Sequence, residues 1–294
     1  MTLPLHDPAW LERMYNNRAL VPDHMAYFER WARDSAEVRA SQPCALDVAY
    51  GDGPGETLDI FPSAREVPKA GVPVLVFIHG GYWRSLDKAD HSFIAPPFTH
   101  AGFCVVVVNY ALCPGTPEAP VTIPHIMRQM EKALGWVWRH IGEHGGDARR
   151  ITVAGHSAGG QLAAMLMTSV WPLLGQGLPD GLVRNALSIS GVHDLDPIMY
   201  TPMYQSVLKL TEQQVLQYSP ARLLEPPGGM LYCVVGADES PEFLRQNQLM
   251  QDAWGSHFVP RSQALPGLNH FSVVDALSKP GHDLHHMALN LLRM

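Results

Sequence analysis

The segment Gly155-His156-Ser157-Ala158-Gly159-Gly160 holds the residues whose types and spacing most directly imply chemistry. It fits G-x-S-x-G, follows a segment of strand character and precedes a helix-forming stretch, the context in which such a serine serves as a nucleophile. The reason for the glycines is steric. To lift its hydroxyl above the end of a sheet, Ser157 must sit on a tight, strained turn, and its neighbours two places away cannot carry bulky side chains. The helix that follows offers its free backbone N–H groups to a developing oxyanion. The purely structural alternative is a glycine-rich turn capped by a serine.

A second signal, His79-Gly80-Gly81-Tyr82-Trp83, directly follows the apolar run Val74–Ile78. Glycines there let backbone N–H groups approach a substrate oxygen. The expected oxyanion donors are Gly80 and Gly81, with Tyr82 as a further candidate, together with Ala158. His79 is expected to order this loop rather than act as a base. A nucleophilic serine needs a base, and the base needs an orienting carboxylate, in the chain order Ser, acid, His. Among 15 histidines, His270 in Gly267-Leu268-Asn269-His270-Phe271 lies late, in a loop after the last strand, and is the expected base. His156, beside the nucleophile, is read as structural, and His282, His285 and His286 as a surface helical face rather than a metal site. The run Met230–Val235 ends in Gly236-Ala237-Asp238-Glu239-Ser240-Pro241. Glu239 stands third after the strand-end glycine and is the favoured acid; Asp238, the commoner residue type but one place early, is the alternative. Adjacent residues in an extended loop point opposite ways, so only one of the two is expected to reach His270.

These residues must be positioned by elements the apolar pattern makes visible. Val74–Ile78 and Phe103–Val108 are continuous Val-rich runs suited to strands buried on both faces of a parallel sheet. Ile151–Ala154, Ala186–Ser190, Met230–Val235 and Phe258–Leu265 read as further strands, and Ala45–Tyr50 and Thr57–Phe61 as a pair around Gly51–Gly55. Ile123–His140 repeats Ile126, Met130, Leu134 and Val137 at helical spacing. Helices are also expected over 8–40, Ala158–Val170, Pro241–Trp254 and Asp283–Leu292, with a crossover helix inside Ser85–Ala101. Strands alternating with helices imply an α/β fold with a doubly wound, mostly parallel sheet flanked by helices. A single domain over 1–294 is expected. Residues 191–229 lack a clear strand and could form a small cap over the site.

Composition bounds the partners. The 294 residues are 46% hydrophobic and 17% charged, with a formal net charge of −7. This excludes a charge-rich disordered chain and argues against a nucleic-acid surface, which needs clustered Lys and Arg. No apolar run approaches the roughly 20 residues of a membrane span. Met1–Trp10 does not read as a signal peptide, so a cytoplasmic protein without membrane attachment is expected. Cys44, Cys104, Cys113 and Cys233 are far apart in sequence, form no C-x-x-C pair and are expected to be reduced and mostly buried. No cofactor is expected.

Taken with their flanks, these motifs resemble the arylformamidase (kynurenine formamidase) branch of the α/β-hydrolase esterase/lipase superfamily. Tyr50–Glu56 followed by Leu58-Asp59-Ile60, the loop His79–Trp83, the segment Ser190–Ile198, the block Ser240-Pro241-Glu242-Phe243, and Asn269-His270-Phe271 all resemble family blocks, over about residues 45–280. One departure is chemical: the family has Asp directly before Ser-Pro-Glu-Phe, where this chain has Glu239. That anchor again favours Glu239 over Asp238. The resemblance implies a serine hydrolase that cleaves a small formyl-type amide or ester, with N-formylkynurenine as a candidate substrate, and it admits a homodimer. The His-rich pattern of the unrelated metal-dependent bacterial kynurenine formamidases is missing, so a metal-free serine mechanism is expected. Tyr82 and Trp83 would flank an aromatic leaving group, and Tyr200, Met203 and Tyr204 would supply the wall of its site. The alternative activity is a broad carboxylesterase on short-chain or aryl esters. More remote alternatives are a non-catalytic binding protein of the same fold and a metal-dependent amidohydrolase.

Overall fold

Val-rich runs with no polar side must be covered on both faces, and the sheet at the centre of the protein satisfies that demand. The computed structural model describes residues 4–294. Its strands are β1 (Ala45–Ala49), β2 (Thr57–Phe61), β3 (Val72–Ile78), β4 (Cys104–Val108), β5 (Gly146–His156), β6 (Asn185–Ile189), β7 (Met230–Gly236) and β8 (Arg261–Leu265). They form one eight-stranded sheet in the order β1-β2-β4-β3-β5-β6-β7-β8. β1 and β2 pair antiparallel, as do β2 and β4, and every other neighbouring pair is parallel.

The helices are α1 (Pro8–Tyr15), α2 (Asn17–Leu20), α3 (His24–Ser41), α4 (Ala95–Ala101), α5 (Ile123–His140), α6 (Ala158–Met167) and α7 (Trp171–Leu174). They continue with α8 (Asp196–Met199), α9 (Pro202–Leu208), α10 (Glu212–Tyr218), α11 (Pro241–Phe258), α12 (Ser272–Leu277) and α13 (Asp283–Arg293). The two faces of β3 show how they divide. Val74, Val76 and Ile78 join a core with Leu134 of α5, Leu162 of α6 and Phe243 of α11. Leu75 and Phe77 join a second core with Trp31 of α3, Phe98 of α4 and Leu291 of α13. Each fully buried side chain of this size contributes about 1.5–3 kcal/mol relative to exposure.

The differences from the sequence expectations have local causes. Ser85–Ala101 holds two 3-10 turns and only the short α4, which begins on Pro96 and Pro97 and ends at Gly102. β5 starts five residues earlier than expected, because its polar first half, Gly146–Arg150, carries no apolar signal. The two-turn α12 between β8 and α13 is too short to show a periodicity. Residues 191–229 form the short helices α8, α9 and α10 and a 3-10 turn at Pro220–Arg222, with no strand. All four cysteines are free, and Cys104, Cys113 and Cys233 are buried. Among the described residues no helix is long and apolar enough to cross a membrane.

Candidate active site

In a parallel sheet the loops at the carboxyl ends of the strands gather at one rim, the place where α/β sheets bind ligands. Here the loops after β3, β5, β7 and β8 bring together the four segments singled out above. Ser157 follows β5 directly. Its backbone is at φ 56° and ψ −116°, which non-glycine residues rarely adopt, and its N–H donates to Ile189 O at 2.8 Å. The elbow closes only because its glycines lack side chains. A Cβ on Gly155 would lie 2.0 Å from Gly159 O, and one on Gly159 would lie 2.1 Å from Ile78 O. Ser157 Oγ is buried and has no hydrogen-bond partner among the described residues.

The expected base and acid meet. His270 Nδ1 donates to Glu239 Oε2 at 2.6 Å, with both side chains almost fully buried. The other carboxylate oxygen of Glu239 accepts from Gly236 N at 2.8 Å and from Ser190 Oγ at 2.5 Å. The carboxylate is thus held from three sides. Asp238 points out and is exposed. The His270 loop is closed by Asn269, whose Oδ1 accepts from the N–H groups of Phe271 and Ser272, both at 2.9 Å. The imidazole of His270 packs against the rings of Phe243 (4.5 Å between centroids) and His156 (4.7 Å).

His156 donates from Nε2 to His270 O at 2.9 Å. Burial, with His270 and His91 nearby, holds it well below the usual histidine range and therefore neutral. It ties the base loop to the nucleophile's own strand. His79 is neutral for the same reason, burial, and orders its loop as expected: Nδ1 contacts Gly80 O at 2.8 Å and Nε2 contacts Asn109 Oδ1 at 3.1 Å. Tyr110 stacks on His79 and donates to His79 O at 2.9 Å. The loop carries Gly81, Tyr82 and Trp83 all at positive φ, and a Cβ on Gly80 would begin 3.0 Å from Ser157 Cβ. Among the described residues no acceptor meets the N–H groups of Gly80, Gly81, Tyr82 or Ala158. These four donors remain available beside Ser157.

Ser157 and His270 line one cavity, open to solvent. Tyr82, Met203 and Tyr204 line it as expected. Tyr82 and Tyr204 stack at 3.8 Å, and both hydroxyls donate to Tyr15 O, at 2.6 and 2.8 Å. Two expected wall residues lie elsewhere. Trp83 is fully buried in the core, its Nε1 donating to Gln161 Oε1 at 3.2 Å, because the backbone at this loop turns the ring inward. Tyr200 is partly exposed at the end of α8 and packs on His6. His285 is buried rather than on a surface face, contacting Leu277 O at 2.9 Å, and His282 caps α13. Missed in the sequence were Phe28 and Trp31 of α3, Arg18, Arg84 and Phe271, all lining the cavity, and Ser190 behind the carboxylate. Only Ser190, at a strand end, carried a positional hint.

A family model described as BD-FAE matches residues 58–176. The kynurenine formamidase of Salmo salar is 30% identical over 254 residues, covering 84% of this chain and 81% of that protein. Esterase LipQ of Mycobacterium tuberculosis is 30% identical over 187 residues, with 62% of this chain and 42% of that protein covered. A crystal structure from Silicibacter superposes with a TM-score of 0.81 at 28% identity, covering 97% of this chain and 99% of that one. Esterase B of Lactobacillus rhamnosis shares the fold, with a TM-score of 0.66 at 19% identity and 95% of each chain covered.

Proposed function

The chain belongs to the kynurenine formamidase branch of the α/β-hydrolase esterase/lipase family and is a hydrolase of formamides or esters, and we propose that it works through Ser157, His270 and Glu239 on an aryl formamide, with N-formylkynurenine as the first substrate to test. The observation that carries this reading is the contact of His270 Nδ1 with the buried carboxylate of Glu239, in the same cavity as a serine on a strained elbow.

In this mechanism the Nδ1–H donated to Glu239 leaves His270 Nε2 as the acceptor for the Ser157 proton. Ser157 Oγ attacks the formyl carbon as Nε2 takes that proton. The carbonyl oxygen becomes an oxyanion, held by the N–H groups of Ala158 and of the Gly80–Tyr82 loop, which make no other hydrogen bonds among the described residues. Collapse breaks the C–N bond, and His270 Nε2–H protonates the departing aryl amine. Water then attacks the formyl-serine, giving its proton to Nε2, and collapse releases formate and returns the proton to Ser157. Glu239 stabilises the imidazolium in both halves, and its contacts to Gly236 and Ser190 hold it in register. A preference for short-chain or aryl esters is the second reading, favoured by the similarity to esterase LipQ.

Steady-state kinetics on N-formyl-L-kynurenine and a p-nitrophenyl ester series test both. The formamide is expected to show the higher kcat/KM, and Ser157→Ala to lower kcat at least about ten-thousandfold on each substrate. Turnover of the esters alone would make the protein a carboxylesterase. Activity surviving Ser157→Ala would remove the serine mechanism.

A further inference from the structure

Two arginines at the cavity have no carboxylate partner. Arg18, an exposed residue of α2, sits 5.5 Å from the ring centroid of Phe28, and among the described residues its only polar contact is with Ser85 Oγ at 3.5 Å. Arg84, one residue past the His79–Trp83 loop, sits 5.2 Å from the ring of Tyr204, and among the described residues its only polar side-chain contact is with Met203 O at 3.4 Å. Both hydrogen bonds are at the long limit of the geometry. Among the described residues neither guanidinium lies within 4.0 Å of a carboxylate. Elsewhere some arginines find carboxylates, as Arg30 does with Asp275, Arg222 with Asp194 and Arg245 with Glu242, and others, such as Arg65 and Arg139, donate to backbone carbonyls at 2.6 and 3.0 Å; Arg18 and Arg84 differ in lining the cavity with Ser157. The chain has 28 Asp and Glu against 21 Lys and Arg, so scarcity of acids does not leave these two unpaired.

A guanidinium presents a planar fork of donors that matches a carboxylate in two parallel hydrogen bonds, and it packs flat on aromatic faces without losing that fork. Phe28 and Tyr204 lie against the two guanidinium groups, in a cavity whose other walls include Trp31, Tyr82 and Phe271. Aromatic walls interrupted by a few polar groups are the lining of a site for a small organic ligand. Aromatic walls and unpaired cations in one cavity with Ser157 call for a ligand that is both flat and anionic. We propose that Arg18 and Arg84 bind the carboxylate of the substrate, so that the site selects carboxylate-bearing aryl formamides or esters over their neutral counterparts. This rests on the assignment of Ser157 and His270 as the acyl-transfer groups.

The test uses pairs that differ only in that charge: 4-acetoxybenzoate against 4-acetoxybenzamide, and N-formyl-L-kynurenine against its α-carboxamide. Wild type is expected to favour the carboxylate in each pair it hydrolyses. Arg18→Met and Arg84→Met should each lower the carboxylate-to-neutral ratio of kcat/KM about tenfold or more, mostly through KM, and the double variant further. Calorimetric binding of N-formyl-L-kynurenine to Ser157→Ala should weaken by a similar factor when either arginine is replaced. Ratios that stay fixed while both members of a pair fall in parallel would overturn the proposal, since the arginines would then only support the fold. Absent binding of N-formyl-L-kynurenine, with no carboxylate preference among the esters, would overturn it as well. Formamides left intact while the ester pair still shows the arginine-dependent ratio would fail the formamidase reading and uphold this one.

Discussion

Two short, buried contacts between a base and a carboxylate can be set side by side. His270 donates to Glu239 at 2.6 Å, and Lys88 donates to Asp59 at 2.7 Å, with a further contact to the exposed Asp47. By distance and burial they look alike. Their surroundings differ. Lys88 joins a 3-10 turn to β1 and β2, and Asp59 Oδ1 also accepts from Asp47 N at 2.8 Å, so the cluster pins the sheet's antiparallel edge. It lines no part of the cavity that holds Ser157. Beside His270 lie that cavity, a serine whose hydroxyl has no partner and a backbone of the kind that costs about 1–3 kcal/mol to maintain. A short buried pair therefore identifies a strong local interaction; open space and unpaired donors beside it identify a place for chemistry.

The comparison is broken most severely through Glu239. Glu239→Gln keeps the shape and removes the charge that supports the imidazolium, so kcat should fall between about a hundredfold and ten-thousandfold, with the folded state retained by circular dichroism. Asp238→Asn, at an exposed position, should stay within about twofold of wild type. A larger loss in Asp238→Asn than in Glu239→Gln would reassign the acid.

Lys88→Met addresses the other pair. It leaves Asp59 buried without its cation, and Asp59 Oδ2 already lacks a partner. Breaking a buried pair this way costs about 3–5 kcal/mol, to be read from denaturant titration, while kcat of the folded enzyme stays near wild type. Unchanged stability with a large loss of kcat would erase the distinction between the two contacts.

Acid gives the mildest test. Burial pushes His91 down to about 3, with His79 adding to the effect, and pushes His193 down to about 4. In the unfolded chain both titrate near about 6.5. Between those values the unfolded chain holds protons that the folded chain does not, so the stability present at neutral pH declines as pH falls. Each group should remove about 2 kcal/mol by about pH 5. Melting temperatures measured from about pH 7.5 to about pH 5 should fall in wild type and in Lys88→Met alike. A flat profile would mean that these imidazoles do not stay neutral in the folded protein.

The sequence by itself determined the order of the strands, the elbow and the placing of His270 at the rim of the sheet, because each is written in a local signal. Val-rich runs mark doubly covered strands, G-x-S-x-G marks a turn only small residues can make, and His270 stands in a loop just after the last strand. It also favoured Glu239 over Asp238, since spacing from the strand-end glycine fixes which side chain turns inward. Other features depended on contacts between segments distant in the chain, and only the tertiary structure decided them. Trp83 and Tyr204 are both aromatic and both near the site in sequence terms, yet one fills the core and the other lines the cavity. Ser190 reaches Glu239 from 49 positions away. Arg18 and Arg84 meet at the cavity only because the N-terminal helices fold over the rim of the sheet, and no periodicity or motif marks an arginine as unpaired. That property belongs to the space around a side chain, which does not exist until the chain has folded.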